Sequence, residues 1–386
     1  MPHRVSFLDH FSALRDPRQA AKVLYPLDEI LLLVLAGTLA GADDFVEITF
    51  WGNTQLAFLR RFLPFKRGIP SHDTLTEVIA AVDPDAFRAC FIAWVETLRR
   101  SEPPLSPAQG EPVAREVVAI DGKTSRRSHD RRLGRAPLHL LSAWASQQRL
   151  VLGQEATAAK SNEIIAIPLL LNRLALTGAL VTIDAEGTTA KIAQTILDRG
   201  ADYLLALKRN RRATYDDVVL FFADPLNPCL SHETVDGDHG RIETRRHCVA
   251  YDPHWLTPTG HESDSVRFAD LRMIGMIEST VERAGKTSTE RRYYISSARL
   301  TPTDFARAVR AHWGIENRLH WTLDVVFHDD LARLRTGFGP ENMALVRHTA
   351  LNLLQNANPK ASLKVRRKQA AWDTNFLEKV LQNQPN

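Results

Sequence analysis

The sequence predicts an α/β protein: a mixed sheet flanked by helices, carrying a β-rich insertion and preceded by a helical domain. Three features lead to this. The stretch Ser101 to Ala114 holds four prolines and little to bury, so it divides two regions. The region after it reads strand-strand-strand-helix-strand-helix-strand. Three strands in hairpin succession followed by crossover helices make a mixed sheet with helices on both faces. Between Lys208 and Arg299 the texture turns to β-like runs broken by turn residues.

Residues 1–112 read as the helical domain. Pro26 to Leu39 is an apolar helix, weakened at its end by Gly37 and Gly41. Ser71 is the N-cap of a helix from His72 to Val82, and Asp83-Pro84 is a second start signal. From Ala86 to Leu98, apolar residues at Phe87, Cys90, Phe91, Trp94 and Leu98 keep a helical period. Two helices around a tight turn are either an αα-hairpin or a DNA-binding helix-turn-helix, and no base-reading signature separates the two.

Residues 113–209 read as the first part of the core. EVVAIDGK is a strand that reaches Asp121, and HLLSAWASQ and RLVLGQEATA follow as a hairpin joined at Gln147-Gln148. SNEIIAIPLLLNRLAL is a helix capped by Ser161 or Asn162. ALVTIDA is a strand ending in Asp184. TAKIAQTILDRG is a helix closed by Gly200, and DYLLALK is the fifth strand. Residues 210–299 form the insertion, with RIETRRHCVAYD, RFADLRMIGMIEST and ERRYYISSA as β-like runs. Turns at Asp236-Gly237, Pro258-Thr259-Gly260 and Gly285 break them. Residues 300–358 return to the core, with one helix from Thr303 to about Phe327 and another from about Glu341 to Gln355. Residues 359–386, containing KVRRK, read as a basic peripheral tail.

Composition excludes several classes. At 386 residues, 44% hydrophobic and 24% charged, the chain has material for a sizeable core and is not disordered. The uncharged run Ile30 to Ala42 has 13 residues, short of the ~18 that a bilayer span needs. The start, MPHRVSFLDHF, lacks the apolar centre of a signal peptide. Cys90, Cys229 and Cys248 stand far apart without a C-x-x-C, which argues against disulfides and zinc fingers and fits a reducing cytoplasm. The net charge is only +4, but 38 arginines stand against 11 lysines, and arginine forks match phosphate oxygens.

Chemistry concentrates in three acids. Val118-Ala119-Ile120-Asp121 and Val181-Thr182-Ile183-Asp184 are strands ending in aspartate, at the end of a sheet where α/β proteins bind ligands. Each aspartate is otherwise a turn former or helix cap. The third acid lies in RAHWGIENRLHWTLD, where His312, Glu316, His320 and Asp324 recur every four residues along a helix that Trp313 and Trp321 would anchor in a core. Three convergent carboxylates hold hard divalent cations, which suits in-line displacement at a phosphate. A zinc site from His312, Glu316 and His320 alone is excluded, because its end ligands would stand about 12 Å apart along the helix axis.

Bases surround these acids. Asp121 is followed by Lys123, Arg126, Arg127, Arg131, Arg132 and Arg135, and the fifth strand by Lys208, Arg209, Arg211 and Arg212. A basic rim beside an acidic centre suits a polyanion cut with metal ions. Solvated charged loops are the alternative.

At these residues the sequence resembles the DDE transposases of bacterial insertion sequences, in particular the ISAs-type and H-repeat-associated family. The resemblance covers almost the whole chain and rests on AIDGKTSRRSHD, LHLLSAWASQQRLVLGQ, KSNEI, LVTIDA, GADYLLALK, HGRIETRR, TSTERRYYISS, RAHWGIENRLHWTLDVVF and ENMALVRHTALNLL. YPLDEILLLVLAGTLAGADDF through GIPSHDTL resembles the domain that accompanies these cores.

The resemblance implies an RNase H-like core, DNA strand cleavage and strand transfer, and two Mg2+ or Mn2+ ions. It implies Asp121, Asp184 and Glu316 as catalytic and metal-binding residues. The partners it implies are double-stranded DNA (terminal inverted repeats and target) and a second copy of the chain in a homodimer on DNA, with no membrane and no organic cofactor. The protein would be cytoplasmic and nucleoid-associated when bound. Lys123, Arg126, Arg127, Lys208, Arg209, His312 and Asn317 are the candidate contacts to phosphates or flanking bases. The chain departs from the family after the second acid, reading Ala185-Glu186-Gly187-Thr188-Thr189, and after the fifth strand, reading Lys208-Arg209-Asn210-Arg211. His312 and Leu323 stand where the wider group carries Arg and Lys. Two other readings stay open: a decayed or domesticated descendant that binds DNA without cutting it, and a metal-dependent nuclease without strand transfer. HGRIETRR has no role that its residues alone define.

Overall fold

A computed structural model describes residues 6–101, 115–129, 134, 136–157, 162–238, 241–256, 268–283, 285–357 and 360–383. The proline-rich divider from 102 to 114, Arg131, Arg132, Arg135, Lys160, Ser161, His239, Gly240 and the Pro258-Thr259-Gly260 turn lie outside them.

The N-terminal region is helical: α1 (Ser6–Phe11), α2 (Leu27–Leu39), α3 (Phe45–Thr54), α4 (Leu56–Leu59), α5 (His72–Ala81) and α6 (Pro84–Ser101). Helix α2 is apolar around its whole circumference, so it is buried almost throughout, as the centre of a core must be. It runs through Gly37 and stops at Gly41, whose φ is +99°. The Ser71 side chain accepts from the Thr74 amide and caps α5. This region is tied to the rest of the chain by ion pairs. Buried Arg88 of α6 donates to Glu155 at 3.1 Å and also pairs with Asp85 and Glu341.

The remainder is built on one nine-stranded sheet: β1 (Val117–Thr124), β2 (His139–Ala145), β3 (Leu150–Thr157), β4 (Leu180–Ile183), β5 (Asp202–Leu207), β6 (Leu230–Asp238), β7 (Arg241–Tyr251), β8 (Met273–Arg283) and β9 (Lys286–Ser296). Its order is β3-β2-β1-β4-β5-β9-β8-β7-β6. Strands β1, β2 and β3 pair antiparallel, while β4 and β5 run parallel to β1. This is the RNase H-like arrangement. Helices α7 (Glu163–Arg173) and α8 (Ala190–Asp198) make the crossovers.

The β-rich insertion is a continuation of the same sheet. β9 pairs antiparallel with β5, from Leu204↔Ser296 to Leu207↔Tyr293, and so covers an edge that would otherwise present unpaired backbone groups. Two elements of the insertion are absent from the sequence reading, helix α9 (Arg212–Ala223) and strand β6. Strand β6 shows why: in LSHETVDGD few positions are apolar, so the period-two signal is faint.

The expected helix from Thr303 to Phe327 is divided. Helix α10 (Pro302–His312) starts at Thr301, whose hydroxyl accepts from the Asp304 amide. A π-helical turn spans Ile315–His320, and α11 (Trp321–Val326) comes after it. Trp313 and Trp321 do not anchor this segment in a core; they are 39% and 58% exposed, and Ile315, Leu319, Thr322 and Leu323 are buried in their place. The π turn changes the helical phase, so a stripe counted at four residues does not predict which face is inside.

Helix α12 (Gly339–Asn356) is buried along most of its length. Its Asn352 both donates to the Val151 carbonyl and accepts from the Val151 amide, at 2.9 Å each, and so completes β3. The segment expected as a peripheral tail instead forms α13 (Leu363–Trp372) and α14 (Thr374–Leu381), with Phe376, Leu377, Val380 and Leu381 buried. Its basic residues drew the peripheral reading, yet buried Arg367 donates to the carbonyls of Thr38, Ala42 and Val326 and to Asp43. A guanidinium satisfied by converging backbone acceptors is a structural cation. Among the described residues no helix is long and apolar enough to cross a membrane.

Candidate active site

Parallel pairing of β1 with β4 sets Ile120 opposite Ile183, so the aspartates next to them emerge side by side at one end of the sheet. The π turn brings Glu316 to the same place. Asp121, Asp184 and Glu316 line one cavity of about 350 Å3, together with Thr182, Lys208 and His312. One oxygen of Asp184 accepts from the Glu186 amide at 3.1 Å and the Gly187 amide at 3.4 Å, which fixes its orientation.

Burial pushes the Asp121 carboxyl up to about 7. The Gly122 amide opposes this, and the negative charges of Glu316, Asp184 and Glu163 add to it. A pocket whose carboxylates repel one another, offering hard oxygen donors, matches the preference of Mg2+ or Mn2+.

Neutral histidines stand close to these acids: His312 lines the cavity and His320 approaches Asp121. His312 Nδ1 lies 2.9 Å from the Thr182 hydroxyl, and burial holds its pKa down at about 4. His320 Nδ1 lies 3.7 Å from Asp121 Oδ2; burial, then the positive charge of Lys123, holds it at about 3. His312 therefore faces the cavity as a neutral imidazole. Behind Asp121, His139 Nε2 pairs with Glu163 Oε1 at 2.6 Å, and His139 Nδ1 lies 2.8 Å from the Thr124 hydroxyl. Sequence reasoning missed His139, Glu163 and His320 as neighbours of the first acid. The available signals were the stripe that sets His320 one step from Glu316 and the acid in SNEI, which reads equally well as a first-turn helix residue.

The predicted DNA contacts other than His312 separate into two groups. Arg126, Arg127, Lys208, Arg209 and Asn317 are exposed, and Lys208 borders the cavity. Lys123 is different: its side chain is 12% exposed, and its ammonium lies 2.7 Å from Asp324, 3.1 Å from Asp329 and 3.1 Å from Asp330. It is committed to the protein, so its reading as a DNA contact is corrected. The same three aspartates have ligand-capable oxygens within 4.8 Å of one another. Lys123 already holds them, and Arg347 pairs with Asp329 at 2.8 Å, so a divalent cation would have to displace an internal one.

The residues that depart from the family have local work. Thr189 caps α8 by accepting from the Ile192 amide at 3.1 Å. Asn210 donates to the Ala185 carbonyl at 2.6 Å and Arg211 to the Thr188 carbonyl at 2.7 Å, which braces the loop after Asp184. Glu186 is exposed.

Residues 112–353 match the model of the Transposase DDE domain, and residues 8–95 match its associated domain, DDE_Tnp_1-associated. The chain is 38% identical over 378 residues to YbfL of Escherichia coli (strain K12), covering 97% of each. It is 37% identical over 380 residues to the H repeat-associated putative transposase YhhI of the same organism, again covering 97% of each. The cryo-EM structure of a piggyBac transposase synaptic complex with hairpin DNA superposes with a TM-score of 0.42 and 11% identity, over 98% of this chain and 77% of that one. With its catalytic-domain match spanning more than half of its length, the chain belongs to the DDE transposase family.

Proposed function

We propose that the protein is a DNA transposase that cleaves transposon ends and transfers the freed strand into target DNA, with Asp121, Asp184 and Glu316 holding two Mg2+ or Mn2+ ions. The observation that carries this reading is the convergence of three acids from separate elements on one cavity, where their repulsion helps hold the Asp121 carboxyl near 7. When bound there, the ions supply activation of the attacking oxygen and charge neutralisation at the leaving oxygen.

The protein's own residues set the geometry. Asp121 stands on a strand, Asp184 is oriented by two amides, and Glu316 rides on a turn whose apolar side is buried. Rigid placement of this kind limits the reorganisation needed during displacement at phosphorus. Neutral His312 and His320 add no positive charge to compete for the carboxylates. Arg126, Arg127, Lys208, Arg209 and Asn317 bind DNA around the cavity. In cleavage, an oxygen of water bonds to phosphorus and the bond to the 3′ oxygen breaks, leaving a 3′-hydroxyl. In transfer, that hydroxyl attacks a target phosphodiester and displaces its 3′ oxygen. Two protomers pair two ends on DNA, and the protein works in the cytoplasm at the nucleoid.

The test is cleavage of a duplex carrying the inverted repeats that flank the gene, with and without Mg2+. Replacing Asp121, Asp184 or Glu316 by Ala lowers cleavage by about 100-fold or more. Cleavage that survives Asp121→Ala rejects the site, and cleavage with no strand joining in the presence of target DNA leaves a nuclease.

A further inference from the structure

We infer that Lys123 is a positioning residue, an internal cation that clamps the segment bearing Glu316 onto the strand bearing Asp121. The inference rests on the reading of Asp121 and Glu316 as partners in one centre. Lys123 lies two residues beyond Asp121 on β1, with its side chain directed away from solvent. Its three carboxylate partners come from the far side of the centre. Asp324 is on α11, eight residues past Glu316, and Asp329 and Asp330 lie in the next turn of the chain.

The cluster is braced on two more sides. The Ser125 hydroxyl, also from the β1 end, donates to Asp329 Oδ2 at 3.1 Å, and Arg347 of α12 holds Asp329 Oδ1 at 2.8 Å. Asp329 is thereby buried with each oxygen satisfied. Charge also favours a clamp over an anion site or a metal site. Lys123 and Arg347 face three carboxylates, and Arg126 at 3.7 Å from Asp330 supplies a third cation at the rim. A phosphate arriving at Lys123 would meet these carboxylates first and be repelled.

The clamp answers a mechanical problem. The π turn carrying Glu316 leaves its polar side exposed, and its covalent connection to α10 passes through Trp313 and Gly314 outside the core. Upstream of Glu316 the segment is held by the Thr182–His312 contact and by the Ser146 hydroxyl, which donates to the Ala311 carbonyl at 3.1 Å. Downstream of it, beyond the buried apolar side of the turn and the 3.7 Å approach of His320 to Asp121, the ionic contacts of Lys123 with Asp324, Asp329 and Asp330 tie the chain to β1. Removing one partner of a buried cluster leaves the others uncompensated, so the segment would loosen.

The experiment uses the full chain and compares wild type with Lys123→Met, Lys123→Arg and Asp324→Asn. Hydrogen exchange is followed by mass spectrometry, and binding to a terminal-repeat duplex is titrated over a range of salt. The expected result for Lys123→Met is exchange faster by about tenfold across Ile315–Val326, with β2 and β3 unchanged. The salt slope of DNA binding stays at the wild-type value, and Lys123→Arg restores most of the protection. Asp324→Asn, which removes one contact of the clamp, accelerates the same segment to a smaller extent and keeps the test decisive if Lys123→Met unfolds the chain. Unchanged exchange in Ile315–Val326 for Asp324→Asn overturns the proposal. So does a salt slope reduced by about one in Lys123→Met and kept at the wild-type value in Lys123→Arg, which would return Lys123 to the DNA interface. Both readouts stand without catalysis, so failure of end cleavage in the wild-type protein rejects the enzymatic reading and leaves the clamp decided separately.

Discussion

His139 and Glu163 form a buried pair, Nε2 to Oε1 at 2.6 Å, against the backbone of the residue next after Asp121. That residue is Gly122. A Cβ placed on it would lie 2.5 Å from both Glu163 Oε1 and His139 Nε2. Neither side chain has room to withdraw, since both are buried and His139 is also tied to Thr124. We expect Gly122→Ala to lower stability by about 1–3 kcal/mol, read by urea unfolding, and to displace Asp121. An unchanged midpoint would show that the pair yields at no cost.

The Asp121 carboxyl makes a pH-dependent contribution with a definite sign. The unfolded chain gives up this proton near its ordinary value of about 4, whereas the folded protein keeps it until about 7. Ionisation therefore costs stability progressively as pH rises through that window, and the cost is constant above it. Asp121→Asn removes the cost. Without divalent cations the variant should be more stable than wild type above pH 7, by an amount on the order of a few kcal/mol, with the gap closing toward pH 4. Chemical unfolding across this range measures it. A constant difference with pH would mean that Asp121 is not perturbed.

The same titration governs cation binding. Added Mg2+ should raise the Tm of the wild-type protein at about pH 8 and much less at about pH 6, because protons and cations compete for Asp121. Asp121→Asn should lose most of the gain. A gain retained in Asp121→Asn and lost in Asp330→Asn would place the cation at the Lys123 cluster.

Arg126, Arg127, Lys208 and Arg209 are exposed, so each should act as an ordinary phosphate contact. Replacing any one by Ala should weaken DNA binding across sequences and lower the salt slope by about one, as measured by fluorescence anisotropy over a NaCl series. A replacement that changes affinity with an unaltered slope would point to a structural effect.

Arg367 tests the status of the C-terminal helices. Its guanidinium is fully committed and lies 4.7 Å from the centre of the Phe327 ring. Arg367→Ala should cost about 3–5 kcal/mol, and a chain ended at residue 357 should lose cooperative unfolding. Calorimetry reads both. A truncated chain with the wild-type transition would restore the picture of a dispensable tail.

How far the sequence carried depends on the range of the forces involved. The cap at Ser71, the stop at Gly41 and the apolar helix α2 arise from residues within one or two turns of one another. The two V-x-I-D strands declare themselves the same way, because a short apolar run closed by an aspartate is a local property, although β1 continues past Asp121 to Thr124 while β4 stops beside Asp184. Where a residue's role depended on a distant partner, its type misled. Lys123 looked like its exposed neighbours Arg126 and Arg127, and only Asp324, Asp329 and Asp330, some two hundred residues away, withdraw it from solvent. KVRRK looked like a solvated charge run until Arg367 met three carbonyls, of Thr38 and Ala42 at the end of α2 and of Val326 in α11.

The sequence by itself determined the family, the order of the core strands along the chain and the choice of three acids as candidates. Tertiary structure alone decided that these acids share a cavity, that the insertion extends the sheet at β5, that Trp313 and Trp321 face outward, and that His139 and Glu163 back the first acid. The physical reason is that hydrogen-bond periodicity and capping act over a few residues. Burial, ion pairing and carboxylate repulsion depend on which remote surfaces meet, and a polar side chain does not carry the address of its partner.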